Sequence, residues 1–311
     1  MSKILISTTS FDIERQELLK SIVSQGFQLV TNPYGRRLKE TEAAELLTDD
    51  IVGMIAGVEP LTRPVLEGAK SLKVISRCGV GLDSVDLMAA RERSIEVFNT
   101  PGAPVVSVAE LTLSLILNML RKVAQADRSI RAGEWKPLMG GLLAAQTIGV
   151  IGYGRIGKRV CQLLHAFGAK VLVYDKMETS VEANLQFLPM RELIRKSDVI
   201  ALHLPYDEET RHLIDTEMLE LMKPNAILVN TSRGGIIDEV ALHRALSEKR
   251  IAGAALDVFE EEPYKGPLRE LPNVLLTAHM GSYAQEARRQ MEDEAVENLY
   301  KGLVGAGILA R

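Results

Sequence analysis

The chain has 311 residues, a formal charge of −4 at pH 7 and a pI near 5.9, with 46% apolar and 25% charged residues. That length holds two domains with a core each, and neither the charge balance nor the scatter of Lys and Arg offers a basic stripe for nucleic acid. Two cysteines, Cys78 and Cys161, lack the spacing of a disulfide framework or a zinc site, so no metal is expected.

MSKILIST runs directly into a strand-like segment without the basic and apolar regions of a signal peptide. The most apolar helical stretch, 111–120, carries Thr112, Ser114 and Asn118 and is too short to cross a bilayer. A cytoplasmic protein with no membrane partner is expected.

Over the first hundred residues the runs KILIS, FQLV, VGMIAG, LKVISRCG and IEVFNT alternate with helical segments at 13–25, 41–47, 64–69 and 85–93. This βα alternation predicts a parallel sheet covered on both faces. NTPGAP at 99–104 reads as a linker, and one long helical pattern follows from Ser107 to Gly133. A second alternation opens at Thr147, and its apolar runs AILVN, AALDV and VLLT at 226–230, 254–258 and 274–277 read as buried parallel strands. Beyond residue 282, Ala287, Met291, Ala295, Leu299 and Leu303 recur at helical spacing, which predicts one amphipathic helix returning to the first domain. The expected fold is α/β with two domains, each a doubly wound parallel sheet. A Rossmann nucleotide domain at 99–282 is inserted into a flavodoxin-like substrate domain at 1–98 and 283–311.

TIGVIGYGRIG supplies Gly152, Gly154 and Gly157 directly after a strand and at the start of a helix. The first glycine permits a tight turn, the second lets backbone approach a pyrophosphate, and the third lets helix pack closely on strand. KVLVYD, the next strand, ends in Asp175, whose carboxylate suits ribose hydroxyls and repels a 2′-phosphate. NAD rather than NADP is therefore expected, with Lys176 next door working the other way.

Arg233, Glu262 and His279 each lie just beyond one of the three buried runs, and open α/β sheets bind ligands at the carboxyl ends of their strands. Each alone has an ordinary structural explanation, but together beside a dinucleotide site they form a chemical set. His279 can exchange the hydroxyl proton when hydride moves to or from a carbinol carbon, and Glu262 can orient the imidazole and favour its charged form. Arg233 can hold a substrate carboxylate through paired N–H donors. His165, His203, His212 and His243 gain no such support, although the backbone of His203 stands at a strand end.

Seven ordered motifs, RCGVGLDSVDL, NTPGAP with SVAELTL, GYGRIGKRV, LHLP, NTSRGGIIDE, ALDVFEEEP and TAHMGSY, resemble the D-isomer-specific 2-hydroxyacid dehydrogenases, in the branch similar to D-3-phosphoglycerate dehydrogenase. The resemblance covers nearly the whole chain. It implies Arg233, Glu262 and His279 as catalytic residues, and Val80 and Gly81, with Arg233, as substrate-binding. It implies NAD contacts at Gly152, Gly154, Arg155, Ile156, Gly157, Asp175, Leu204, Pro205, Thr231, Asp257, His279, Gly281 and Ser282, with Asp257 meeting the nicotinamide carboxamide. It also implies a homodimer, for which the apolar helix at 108–123 is a contact surface.

Departures bear on the substrate. Pro104 stands where many members have Asn, and AGVEPLT at 56–62 lacks the Arg-Ser that holds phosphate, leaving Arg63 and Arg77 as substitutes. The regulatory domain of longer phosphoglycerate enzymes is expected to be absent. The leading expectation is oxidation of D-3-phosphoglycerate to 3-phosphohydroxypyruvate in serine biosynthesis. Reduction of hydroxypyruvate, glyoxylate or another small 2-keto acid is the alternative, a phosphite-oxidising relative is more remote, and a non-catalytic NAD(H)-sensing corepressor is the reading from another class.

Overall fold

The computed structural model describes residues 1–177 and 185–310. The chain divides into two compact units, Met1–Pro104 with Ala284–Arg311, and Val105–Tyr283.

In the first unit, β1 (Lys3–Ile6), β2 (Gln28–Thr31), β3 (Ile51–Ala56), β4 (Val74–Arg77) and β5 (Glu96–Asn99) form a sheet of order β2-β1-β3-β4-β5, all parallel. Four short helices connect them: α1 (Glu17–Ser24), α2 (Glu40–Leu46), α3 (Arg63–Gly68) and α4 (Leu87–Glu92). Strand order reverses between β1 and β3, which makes their carboxyl ends the switch point of this unit. The expected first helix starts later than residue 13, at Glu17.

The second unit opens with two helices where the periodicity predicts one. α5 (Val105–Arg121) and α6 (Val123–Arg131) are separated by Lys122 in the left-handed region, φ 55°, and the Asn118 side chain accepts a hydrogen bond from Ala124 N at 3.0 Å across the break. Apolar spacing carries through such a break because one residue of reversed φ redirects the axis without removing a residue. α5 buries Val108, Ala109, Thr112, Leu115, Ile116 and Leu120 inside its own unit, so that face is core.

The sheet of this unit has seven strands: β6 (Thr147–Ile151), β7 (Lys170–Tyr174), β8 (Gln186–Phe187), β9 (Val199–Leu202), β10 (Ile227–Asn230), β11 (Gly253–Leu256) and β12 (Val274–Leu276). Their order is β12-β11-β10-β9-β6-β7-β8, all parallel, with reversal between β6 and β9. This is the doubly wound order of a dinucleotide-binding sheet. β6, β9, β10 and β11 are apolar runs buried on both faces, as central parallel strands require. α7 (Arg155–Ala166), α8 (Met190–Lys196), α9 (Thr216–Leu221) and α10 (Glu239–Ser247) complete the layers.

The last helix, α11 (Gln285–Gly305), belongs to the first unit, where Ala287, Met291, Ala295, Leu299 and Leu303 are all buried. Gly53 in β3 admits it closely: a Cβ there would stand 2.8 Å from Leu299 Cδ1. Ser76 Oγ donates to Ala295 O at 2.7 Å, pinning the same helix to β4. No helix among the described residues is long and apolar enough to cross a membrane.

Candidate functional site

Gly152 follows β6 at the switch point of the seven-stranded sheet, with φ 100°. A side chain there would meet the His203 carbonyl oxygen at 2.3 Å and Leu204 Cδ2 at 3.1 Å, so the turn after β6 is pressed against the turn after β9. A Cβ on Gly157 would stand 2.0 Å from Gly152 O, whereas one on Gly154 would meet nothing within 4 Å. The outer two glycines are thus consumed by packing and the middle one faces open space at the N-terminus of α7, the geometry that receives a pyrophosphate. Arg155 and Ile156 form the first turn of that helix.

Asp175 stands directly after β7, and its carboxylate accepts from Tyr153 N at 2.6 Å and from Met177 N at 2.9 Å. The acid is therefore anchored beside the glycine turn, where a ribose would lie. Lys176 turns to Glu209 as an exposed ion pair. These residues fit a dinucleotide with an unphosphorylated adenosine ribose. Leu204 lies against the glycine turn and Pro205 is exposed beyond it. Thr231 is buried, and its hydroxyl lies 2.8 Å from that of Thr112 of α5; since Thr112 donates to Val108 O, Thr231 is the donor of the pair.

Both ring nitrogens of His203 are buried without a hydrogen-bond partner among the described residues, although the residue keeps some exposed surface. Desolvation pushes the imidazole down to about 4, so the ring is neutral at ordinary pH.

The three expected catalytic residues occupy turns after β10, β11 and β12 of this one sheet. His279 Nδ1 lies 2.8 Å from Glu262 Oε2, and the other Glu262 oxygen accepts from Phe259 N at 3.1 Å. Glu262 is thus fixed by its own turn before it reaches the imidazole. Arg233 follows β10, with Nη1 donating to Ser232 O at 2.8 Å. Gly234, next in sequence, presses on the Glu262 turn: a Cβ there would be 1.8 Å from the Phe259 carbonyl carbon and 2.4 Å from Glu260 N. The doublet in SRGGIID was the available signal for this contact.

His279 itself is left-handed, φ 50°, an uncommon conformation for a residue with a side chain. Asp257, 1% exposed, holds it there. Its carboxylate accepts from Thr277 Oγ1 at 2.6 Å, Met280 N at 2.9 Å and Gly281 N at 2.8 Å, while its carbonyl accepts from His279 N at 2.7 Å. The run AALDV places Asp257 inside a strand, but β11 ends at Leu256, and the freed carboxylate organises the histidine turn. Ser282 is half-buried at the end of that turn.

Val80 and Gly81 belong to the first unit, in the loop after β4, where the carbonyls of Gly79 and Val80 accept from Thr100 N at 2.9 Å and Asn99 Nδ2 at 2.7 Å. Arg77 lies buried under this loop, its guanidinium filling the place of a Gly79 side chain and donating to Cys78 O. Arg63 is ion-paired with Glu92 at 2.6 Å, Glu67 at 3.6 Å and Asp86 at 3.8 Å. At the switch point, Glu59 is 2% exposed, accepting from Gly57 N at 3.1 Å and from the Ser7 hydroxyl. Among the described residues no group of three or more His, Cys, Asp or Glu side chains is arranged to hold a metal.

The profile of the NAD-binding domain of D-isomer-specific 2-hydroxyacid dehydrogenases matches residues 113–281. The chain belongs to this family. A hydroxypyruvate reductase from Thermotoga maritima is 39% identical over 86% of this chain and 89% of its own length. A D-3-phosphoglycerate dehydrogenase from Methanocaldococcus jannaschii is 43% identical over 86% of this chain, which spans only 52% of that relative. The crystal structure of the TT0316 protein from Thermus thermophilus superposes with a TM-score of 0.89 at 37% identity, covering 97% of both chains. As a D-2-hydroxyacid dehydrogenase, the chain is an NAD-dependent oxidoreductase, and its second unit is the family's NAD-binding domain.

Proposed function

We propose that this chain interconverts a small, unphosphorylated D-2-hydroxy acid and its 2-keto acid in the cytoplasm, with glyoxylate and hydroxypyruvate the first substrates to try. The observation that carries this reading is the state of the two arginines available to replace the missing phosphate anchor. Arg63 is occupied by three carboxylates and Arg77 is buried under the loop after β4. The loop that would bear the anchor carries Glu59, and a carboxylate there disfavours a phosphate dianion. The Thermotoga relative's activity agrees with this choice.

Bound NADH supplies the hydride for the keto carbon. The protein's share begins with Arg233, which would hold the substrate carboxylate, while amides of the loop carrying Val80 and Gly81 offer donors to the same class of anion. His279, oriented through Nδ1 by Glu262, would deliver a proton from Nε2 to the carbonyl oxygen as hydride arrives, and remove it in the reverse direction. The cofactor would lie along Gly152, Gly154, Arg155, Ile156 and Gly157, with Asp175 on the ribose, Leu204 and Pro205 beside it, and Thr231, Asp257, Gly281 and Ser282 near the nicotinamide end.

Phosphoglycerate oxidation is the second reading, favoured by 43% identity to the Methanocaldococcus enzyme. Following NADH absorbance with glyoxylate, hydroxypyruvate, 2-oxoglutarate and D-3-phosphoglycerate separates the two. Selective use of the unphosphorylated keto acids supports the proposal, and selective use of phosphoglycerate replaces it with the second reading. The His279→Ala variant should lose turnover by about 10²-fold or more while still binding NADH.

We also propose a homodimer. On α6 and the segment after it, Val123, Ile130, Trp135, Met139 and Leu142 are exposed, Trp135 to 88% and Met139 to 87%. Large apolar side chains gathered on one segment mark an interaction surface.

A further inference from the structure

The turn that carries Glu262 is held at a second place, outside the contacts described so far. Glu260 N donates to Glu239 Oε1 at 2.8 Å, and Glu239 N donates back to Glu260 Oε1 at 3.2 Å. These two residues are far apart in sequence, so the reciprocal pair ties the first residue of α10 to the middle of the 259–262 turn. Glu260 Oε1 also lies 3.1 Å from His212 Nε2, and His212 N donates to Gly235 O at 2.8 Å, which closes the network onto the turn after Arg233. Asp238, the N-cap of α10, accepts from Val240 N and Ala241 N and so fixes the helix end on which Glu239 stands.

From this geometry we propose that Glu239 is a positioning residue: its carboxylate locks the Glu262 turn against the Arg233 turn. The proposal rests on the reading of His279 and Glu262 as the proton-transfer pair. Glu239 and Glu260 do not touch the reacting atoms in this role. They act through Glu262, whose own turn is shared with Glu260.

Glu239 itself is half-buried. Burial pushes its carboxyl up from the ordinary range; the bond from Glu260 N works against this, and repulsion from Glu260 and Glu262 adds to it. The charged and titratable groups facing it are Glu260 and Glu262 from the 259–262 turn, His212 through Glu260, Tyr264 stacked on Phe259, and Asp238 on its own helix end.

The test compares Glu239→Ala, Glu239→Gln and Glu260→Ala with wild type in the full-length protein, using glyoxylate and hydroxypyruvate with NADH. For Glu239→Ala, kcat is expected to fall roughly tenfold, as loosening of a catalytic group does, with KM within twofold. Glu239→Gln, whose amide oxygen still accepts from Glu260 N, should recover most of kcat. A folded Glu239→Ala protein with wild-type kcat overturns the proposal, as does a loss that merely follows the folded fraction. Should Glu239→Ala fail to fold, Glu260→Ala, at an exposed position, is read by the same criteria. His279→Ala runs alongside. If it keeps turnover, the reading of the pair has failed; if it loses turnover while the Glu239 variants match wild type, only the positioning role has failed.

Discussion

Asp175 and His203 flank the glycine turn and behave oppositely toward charge. The Asp175 carboxylate is solvated by two backbone N–H groups and stays available to ribose hydroxyls. Asp175→Ala should therefore raise NADP use relative to NAD by at least about tenfold, read from kcat/KM with each cofactor. His203 is depressed to about 4 in the folded protein, whereas an unfolded chain titrates near about 6.5. Unfolded protein thus binds the extra proton first, and stability drops as pH falls from about 6.5 toward 4, by up to roughly 3 kcal/mol. Denaturant titrations across that window should show the slope, and His203→Gln should flatten it. Arg233→Ala should lower kcat/KM for any keto acid by about 10²-fold or more, and Arg233→Lys should restore little, because one ammonium cannot reproduce the paired donors. The gathering of Arg233, Glu262 and His279 at one sheet edge was legible because each residue follows a distinct apolar run. The roles of Asp257 and Glu239 were not, since they depend on where a strand stops and on which turns meet across the sheet.

Between elements, contact is governed by where a side chain is missing. Gly234 brings the turn after β10 onto the backbone of the turn after β11, and neither side can yield as a flexible side chain would. Gly234→Ala should cost about 3 kcal/mol of stability by overpacking, and it should cost activity beyond that by separating Arg233 from Glu262. Thermal unfolding together with kcat on the folded fraction distinguishes the two. The alternation of strands and helices, the parallel order and the returning helix could all be read from period and punctuation. The break at Lys122 could not, because reversed φ at one residue leaves the apolar spacing intact. β8, with two residues, falls below the length at which periodicity carries information.

At the level of the whole chain, each unit owns its cores: two apolar clusters lie in Val105–Tyr283, a third lies within the N-terminal segment, and a fourth joins that segment to α11. Expressed alone, Val105–Tyr283 should fold and bind NADH, which fluorescence titration would report. A chain ending before Ala284 should leave Val74, Ile55 and Ile6 without the helix that covers them and lose solubility. Replacing Trp135 and Met139 by Glu should shift the sedimentation of the proposed homodimer to that of a monomer. α11 leaves the ribosome after the whole of the second unit, yet the sheet it covers is made before that unit. During synthesis those strands must wait, one apolar face open, until the second unit has been read, while the middle of the chain can finish folding before them. Vectorial synthesis and the order of completion therefore run in opposite directions, and the interval between them is when this polypeptide most needs a chaperone.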